Sequence, residues 1–155
     1  MRHPLLHPDH EPALRVAIIA AEDAHSQSLS AVLEASAFSP VVLDRDEHLG
    51  DLDPLSREPF TQICIVDLDN LPSRPDARRL CLDLRRLHPG VPLVVTLDPR
   101  HGHGIYPDLP FQPDAQLPKS SQAEEIIDAL GEAVSNNLVD RLRRELAQNA
   151  VTCPV

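Results

Sequence analysis

The sequence predicts an α/β fold: a parallel sheet of five strands, covered by helices on both faces to give three layers. Three observations predict it. Apolar runs of strand length recur along the chain, segments of helical periodicity alternate with them, and Pro, Gly and Asp punctuate the junctions. A chain of 155 residues makes one ordinary domain, able to bury roughly two-thirds of its unfolded surface. Strands that alternate with helices imply right-handed crossovers and leave few other topologies.

Each element has its own signal. Arg15 to Ala20 (RVAIIA) is a continuous apolar run of strand length, and AEDAHSQS after it can cap a helix. From His25 to Ala37, Leu29, Val32, Leu33 and Ala37 recur at three and four, giving one apolar helix face. After Phe38 and Ser39-Pro40, VVLD is the second strand, and the acidic stretch from Asp44 to Pro59 is a loop with a helical turn near Leu55. QICIVD is the third strand. Asp76 to Leu87 places Leu80, Leu84 and Leu87 on one stripe with arginines opposite, and HPG ends that helix. VPLVVTL is the fourth strand. Asp98 to Pro113 is rich in proline, so the fourth helix region is expected to be irregular. Gln116-Leu117 forms a short fifth strand, and Ser121 opens a long C-terminal helix as its N-cap, supported by Glu124. This β/α alternation fits a flavodoxin-like sheet of order 2-1-3-4-5. The expected layout is a disordered arm over 1–13, the domain over 14–135, a helical extension over 136–148 and a disordered tail over 149–155.

Composition removes several function classes. The net charge of −10 opposes direct nucleic-acid binding, which draws on clustered Lys and Arg. The longest apolar runs are well short of the roughly 20 residues that cross a bilayer, and the Pro- and His-broken N-terminus is unlike a signal sequence, so no membrane association and a cytoplasmic location are expected. Cys64, Cys81 and Cys153 form no CxxC pair, and an odd count fits a reducing compartment. No Gly-rich phosphate loop, GxSxG elbow or dense acidic cluster marks an enzyme on this architecture.

The motifs at the strand ends say more. Asp67 closes QICIVD, and Lys119 in LPKS follows it by fifty-two residues, at the ends of two predicted parallel strands. Open α/β sheets place their ligands in that position. The pair resembles a bacterial response-regulator receiver (CheY-like) domain over roughly Leu14 to Val134. The resemblance implies that Asp67 is the phosphoacceptor, that Lys119 contacts the phosphate, and that Mg²⁺ assists transfer within a two-component phosphorelay.

Against that family the sequence departs at several positions. The acidic pair that holds Mg²⁺ falls on Ala20 and Ala21, which offer no oxygen ligands. A slip of that loop would bring Glu22 or Asp23 inward, making Glu22, Asp23, Asp67 and Asp69 a weak substitute set; the alternative is no cofactor, with Glu22 and Asp23 favouring the following helix through its dipole. The switch hydroxyl falls on Leu97, with Thr96 one residue early and, by alternation, on the opposite side; Thr96 is the remaining candidate for that role. The aromatic position falls on Gln116, and Ser120 replaces the proline after the lysine. One extra residue before Pro72 places Asp69 near the site of a backbone metal ligand. The pattern looks like that of an atypical, or pseudo, receiver, in which a fixed Asp67–Lys119 salt bridge holds the domain in one state. The family's segment of partner contact falls on HGHGIYP, where His101 and His103 also form a pair of potential metal ligands.

The helix from Ser121 runs to about Gln148, roughly 40 Å at 1.5 Å per residue. Ile127, Leu130 and Val134 are expected on the sheet. Leu138, Leu142 and Leu146 continue an apolar stripe beyond it, flanked by Asp140, Arg141, Arg143, Arg144 and Glu145, and predict a homodimer; the alternative is a frayed tail broken at Asn136-Asn137. Only NAVTCPV follows Gln148, and no effector domain is expected on this helix. The sequence therefore favours a stand-alone, phosphorylation-independent signalling module that binds a protein partner such as a kinase, a transcription regulator or an assembly factor. The alternative is a phosphorylatable single-domain response regulator that accepts phosphate on Asp67.

Overall fold

The computed structural model describes residues 13–43, 55, 60–70, 74–98 and 113–152. Its strands are β1 (Leu14–Ile19), β2 (Phe38–Leu43), β3 (Ile63–Asp67), β4 (Leu93–Leu97) and β5 (Ala115–Pro118). They form one parallel sheet in the order β2-β1-β3-β4-β5, as the alternation predicts. The helices are α1 (Ala24–Ala35), α2 (Arg74–Leu87) and α3 (Ala123–Thr152), and a short 3-10 turn spans Leu68–Asn70. No described helix is long and apolar enough to cross a membrane.

The inner strands are apolar on both faces because both faces are covered. On one side Val16, Ile18, Ile63, Ile65, Val94 and Leu117 pack with Leu29 and Leu33 of α1 and Ile126, Leu130 and Ala133 of α3. On the other, Ala17, Ile19, Cys64, Val66, Leu93, Val95 and Leu97 pack with Ala77, Cys81 and Leu84 of α2. Each fully buried Leu, Ile or Val contributes about 1.5–3 kcal/mol relative to exposure. β2 starts at Phe38, earlier than VVLD predicts, because Ser39 and Pro40 pair with Arg15 and Val16. Pro40 is tolerated there since β2 is an edge strand.

The long helix departs from expectation at both ends. It begins at Ala123, and Glu125 Oε1 accepts from the Gln122 N–H at 3.1 Å, so the cap lies one residue later than the predicted Ser121–Glu124 pair. It runs to Thr152, so residues 149–152, predicted as tail, are helical. Asn136-Asn137 does not break it. Asn136 Nδ2 donates to the Asp114 carbonyl at 2.8 Å, and buried Asn137 donates to the Pro89 carbonyl at 3.1 Å. Those amides fasten the helix to the sheet instead of competing with its backbone. Val134 is turned away from the sheet and 45% exposed, because Ala133 occupies the sheet-facing position.

Asp114 organises that fastening. Its Oδ2 accepts from Arg85 Nη1 and from the Leu93 N–H, both at 2.8 Å, and more weakly from Asn137 Nδ2 at 3.4 Å. One buried carboxylate thereby ties α2, β4, β5 and α3 together at the edge opposite the strand tips. Residues 1–12 of the predicted arm, most of the loop after β2, Pro72, residues 99–112 of the irregular segment with His101 and His103, and the last three residues with Cys153 lie outside the described residues.

Candidate functional site

The site forms at the carboxyl ends of β1, β3, β4 and β5, next to the point where the strand order reverses between β1 and β3. Asp67 closes β3 with its side chain 2% exposed, on the α1/α3 side of the sheet by alternation from Ile63 and Ile65. Lys119 follows β5, its N–H bonded to the Leu97 carbonyl at 2.9 Å. Its Nζ lies 2.9 Å from Asp67 Oδ1 and 3.3 Å from Asp69 Oδ2. Asp69 sits in the 3-10 turn, where its own N–H donates to Asp67 Oδ1 at 3.2 Å and its carboxylate accepts from the Asp98 N–H. Two carboxylates and one ammonium therefore close the crevice between β3 and β5.

The electrostatics follow from that count. Burial pushes the Asp67 carboxyl up, and the Lys119 hydrogen bond and charge, the Asp69 N–H and the His25 imidazole offset this only in part. Burial pulls the Lys119 ammonium down, but the hydrogen bond and charge of Asp67, together with Asp69, outweigh it and the net direction is up. Lys119 is held as a cation across the neutral range.

Thr96 requires a correction. The register pairs Thr96 with Asp67, and Thr96 shares the Asp67 side of the sheet with Val94, whereas Leu97 is buried on the α2 side with Leu93 and Val95. Alternation predicts Thr96 on the opposite side; the sheet pairing instead sets it beside Asp67 on the same side. Thr96 Oγ1 is buried and makes no hydrogen bond among the described residues.

The predicted metal set does not converge. Ala20 is buried, with its N–H on the Leu43 carbonyl. Asp23 is the N-cap of α1: its Oδ1 accepts from the Ser26 N–H at 2.9 Å, and Ser26 Oγ accepts in return from the Asp23 N–H at 3.0 Å. Glu22 is exposed. With Asp67 and Asp69 bridged by Lys119, no group of three or more His, Cys, Asp or Glu side chains is placed to hold a metal among the described residues. These donors do not fit Mg²⁺, which needs several oxygen ligands in octahedral geometry. Leu138, Leu142 and Leu146 lie away from this site on α3, at 48%, 49% and 68% exposure.

Two features escaped the sequence. His25 in the first turn of α1 is close enough to act on Asp67, and beside it a cavity of about 60 Å³ is lined by His25, Leu29, Lys119, Ser121 and Ile126. The buried His25 Nε2 and Ser121 Oγ have no hydrogen-bond partner among the described residues. The second is the contact of Asp69 with Lys119: the sequence offered Asp69 as a metal ligand, and its turn geometry aims its carboxylate at the ammonium instead. A motif count gives neither, since both depend on how a loop and a helix start are set on the sheet.

No protein-family model matches the chain, and no curated protein matches it. Solved structures do. One is the N-terminal domain of a response regulator/sensory box/GGDEF three-domain protein from Carboxydothermus hydrogenoformans, at 11% identity over 81% of this chain and 98% of that one, TM-score 0.65. A CheY-like response-regulator receiver domain protein from Methanospirillum hungatei JF-1 matches at 15% identity over 83% of this chain and 98% of that one, TM-score 0.62. A response-regulator receiver domain protein from Clostridium thermocellum matches at 15% identity over 81% and 98%, TM-score 0.62. Sheet order, the strand-end position of Asp67 and Lys119 and these likenesses agree: the chain has the fold of a CheY-like response-regulator receiver domain.

Proposed function

We propose that this chain is a non-enzymatic signalling module of the cytoplasm, a pseudo-receiver that acts by binding a protein partner and by self-association through α3, independently of phosphate. The observation that carries the reading is Lys119 Nζ, 2.9 Å from Asp67 and 3.3 Å from Asp69, in a crevice where Ala20 and Ala21 supply no metal ligand. A phosphoryl group entering at Asp67 would add charge to a pocket that already holds two carboxylates, without the cation that normally offsets it. The ion pair instead favours one arrangement of the β5–α3 junction. A kinase, a transcription regulator or an assembly factor is the class of partner that suits such a module.

A second reading has its own support. Thr96, in register with Asp67 and with a buried hydroxyl unpaired among the described residues, supplies a group that would bind a phosphoryl oxygen, so Asp67, Thr96 and Lys119 together would suit a phosphorylatable regulator. One titration separates the two: Mg²⁺ and beryllofluoride are added while the amide resonances of the Asp67 and Lys119 loops are followed, with Asp67→Ala as control. The first reading expects an unchanged spectrum. Site-specific, Asp67-dependent shifts would replace it with the second.

A further inference from the structure

The turn after β3 sets one carboxylate where it meets two strand tips at once. The Lys119 N–H donates to the Leu97 carbonyl, and the next peptide N–H of β4's end, that of Asp98, donates to Asp69 Oδ2. The same Oδ2 lies 3.3 Å from Lys119 Nζ. One carboxylate oxygen thus joins the ends of β4 and β5. Asp69 is held for this task by the 3-10 turn, where its own N–H donates to Asp67 Oδ1 at 3.2 Å. The crevice is closed: side-chain exposure is 2% for Asp67, 9% for Asp69 and 19% for Lys119.

An ammonium, a strand-tip N–H and a hydroxyl together suit an oxyanion. Asp69 takes the first two. The third, Thr96 Oγ1, belongs to a residue 1% exposed and in register with Asp67, and it makes no hydrogen bond among the described residues. A planar carboxylate tethered to the turn leaves that donor unused, whereas a free tetrahedral oxyanion carries a further oxygen for it. Charge points the same way. Exchanging the Asp69 carboxylate for a singly charged oxyanion leaves two negative groups about one ammonium, as before, so the exchange calls for no metal. We propose that Asp69 is the resident ligand of this crevice: its carboxylate holds an oxyanion position on Lys119 and the Asp98 N–H, and so shuts free oxyanions out. This rests on the reading above that the domain works without phosphate, and it names the side chain that enforces that independence.

The test is a titration of the full chain with inorganic phosphate at mildly acidic pH, where the ion is largely singly charged, following the amide resonances of Thr96, Asp98 and Lys119. Wild type is compared with Asp69→Ala and, should alanine unfold the turn, with Asp69→Ser; circular dichroism verifies that each variant folds. The expected result is saturable shifts at these amides in the Asp69 variant and binding at least about tenfold weaker in the wild type, because a tethered ligand competes with the free one. Adding Thr96→Val to the variant should weaken binding about tenfold, and adding Lys119→Met should abolish it. Adding Asp67→Asn should strengthen it, since one negative neighbour is gone. Equal binding by wild type and variant would overturn the assignment of Asp69 as occupant. No saturation in a folded Asp69 variant would overturn the oxyanion position itself, and shifts that survive Lys119→Met would mean an adventitious ion only. Binding in the Asp67→Asn background keeps this result separate from the phosphate-independent reading, whose failure shows as Asp67-dependent beryllofluoride shifts in the wild type.

Discussion

Lys119 reaches from the end of β5 to within 2.9 Å of Asp67 at the end of β3, across the tip of β4. It is the only lysine in the chain, and it is shared with Asp69 at 3.3 Å. Lys119→Met leaves two largely buried carboxylates without a cation, and the expected loss is about 3 kcal/mol of unfolding free energy in a denaturant titration. Adding Asp67→Asn to that variant should recover part of the loss. Additive effects of the two substitutions would show that the pair does not interact energetically.

The pH dependence follows from the direction of the Asp67 shift. Burial raises its carboxyl above the unfolded value, so the folded state holds the proton more tightly. The resulting stabilisation is fully present below the unfolded carboxylate value and is lost as pH rises through the folded one. Asp67→Asn, which resembles the protonated form, should therefore match the wild type in acid and exceed it in stability towards neutral pH. Equal stability across the range would contradict the assigned direction. Lys119 is also raised, so its contribution persists through neutral pH and is lost only in alkali, as pH climbs past the folded lysine value.

Asp114 is expected to be as important to stability as any core residue. Asp114→Ala removes the acceptor for Arg85 and for the Leu93 N–H, and should cost about 3–4 kcal/mol in chemical denaturation. Asp114→Asn keeps the shape and should cost less. A loss below about 1 kcal/mol for the alanine variant would show that water replaces the network.

Ala37 carries a left-handed backbone, φ 65°, just after α1, where its N–H closes on the Glu34 carbonyl. A methyl group is unfavourable in this region and glycine is not. Ala37→Gly should stabilise the protein by about 0.5–1 kcal/mol, read as a rise in Tm. A fall in Tm would mean that the turn does not hold this conformation in solution.

The two buried thiols should be inert. Burial pushes the Cys81 thiol up to about 12 and Cys64 higher still, so neither forms the reactive thiolate at neutral pH. In a Cys153→Ser variant, a thiol-specific chromogenic reagent should label neither until guanidinium unfolds the chain. Labelling of the native protein within minutes would reveal local opening between α2 and the sheet.

Much of the sheet was legible because Ile63–Asp67 and Leu93–Leu97 are short apolar runs in a β/α alternation, and few sheet orders accommodate that pattern. Asp67 and Lys119 were legible for a related reason: each is a charged residue that ends such a run. The same apolarity hid the orientation of Thr96. With residues buried on both faces of β4, alternation carries no signal, and only pairing with β3 shows which of Thr96 and Leu97 faces Asp67. Asn136 and Asn137 look like helix breakers until their long-range acceptors, the Asp114 and Pro89 carbonyls, are known. Val134 and Ala133 exchange the expected roles because a small residue lets α3 approach the sheet closely.

The anchoring of α3 at Asn136 and Asn137 makes the remainder of the helix a lever arm. Fifteen residues project beyond that fulcrum, about 22 Å at the helical rise, so a tilt of about 10° at the anchor carries the tip roughly 4 Å. Asp114 accepts at that anchor, at the opposite end of the strands from Asp67. A displacement too small to disturb the core at that edge of the sheet would be magnified at the tip of the arm.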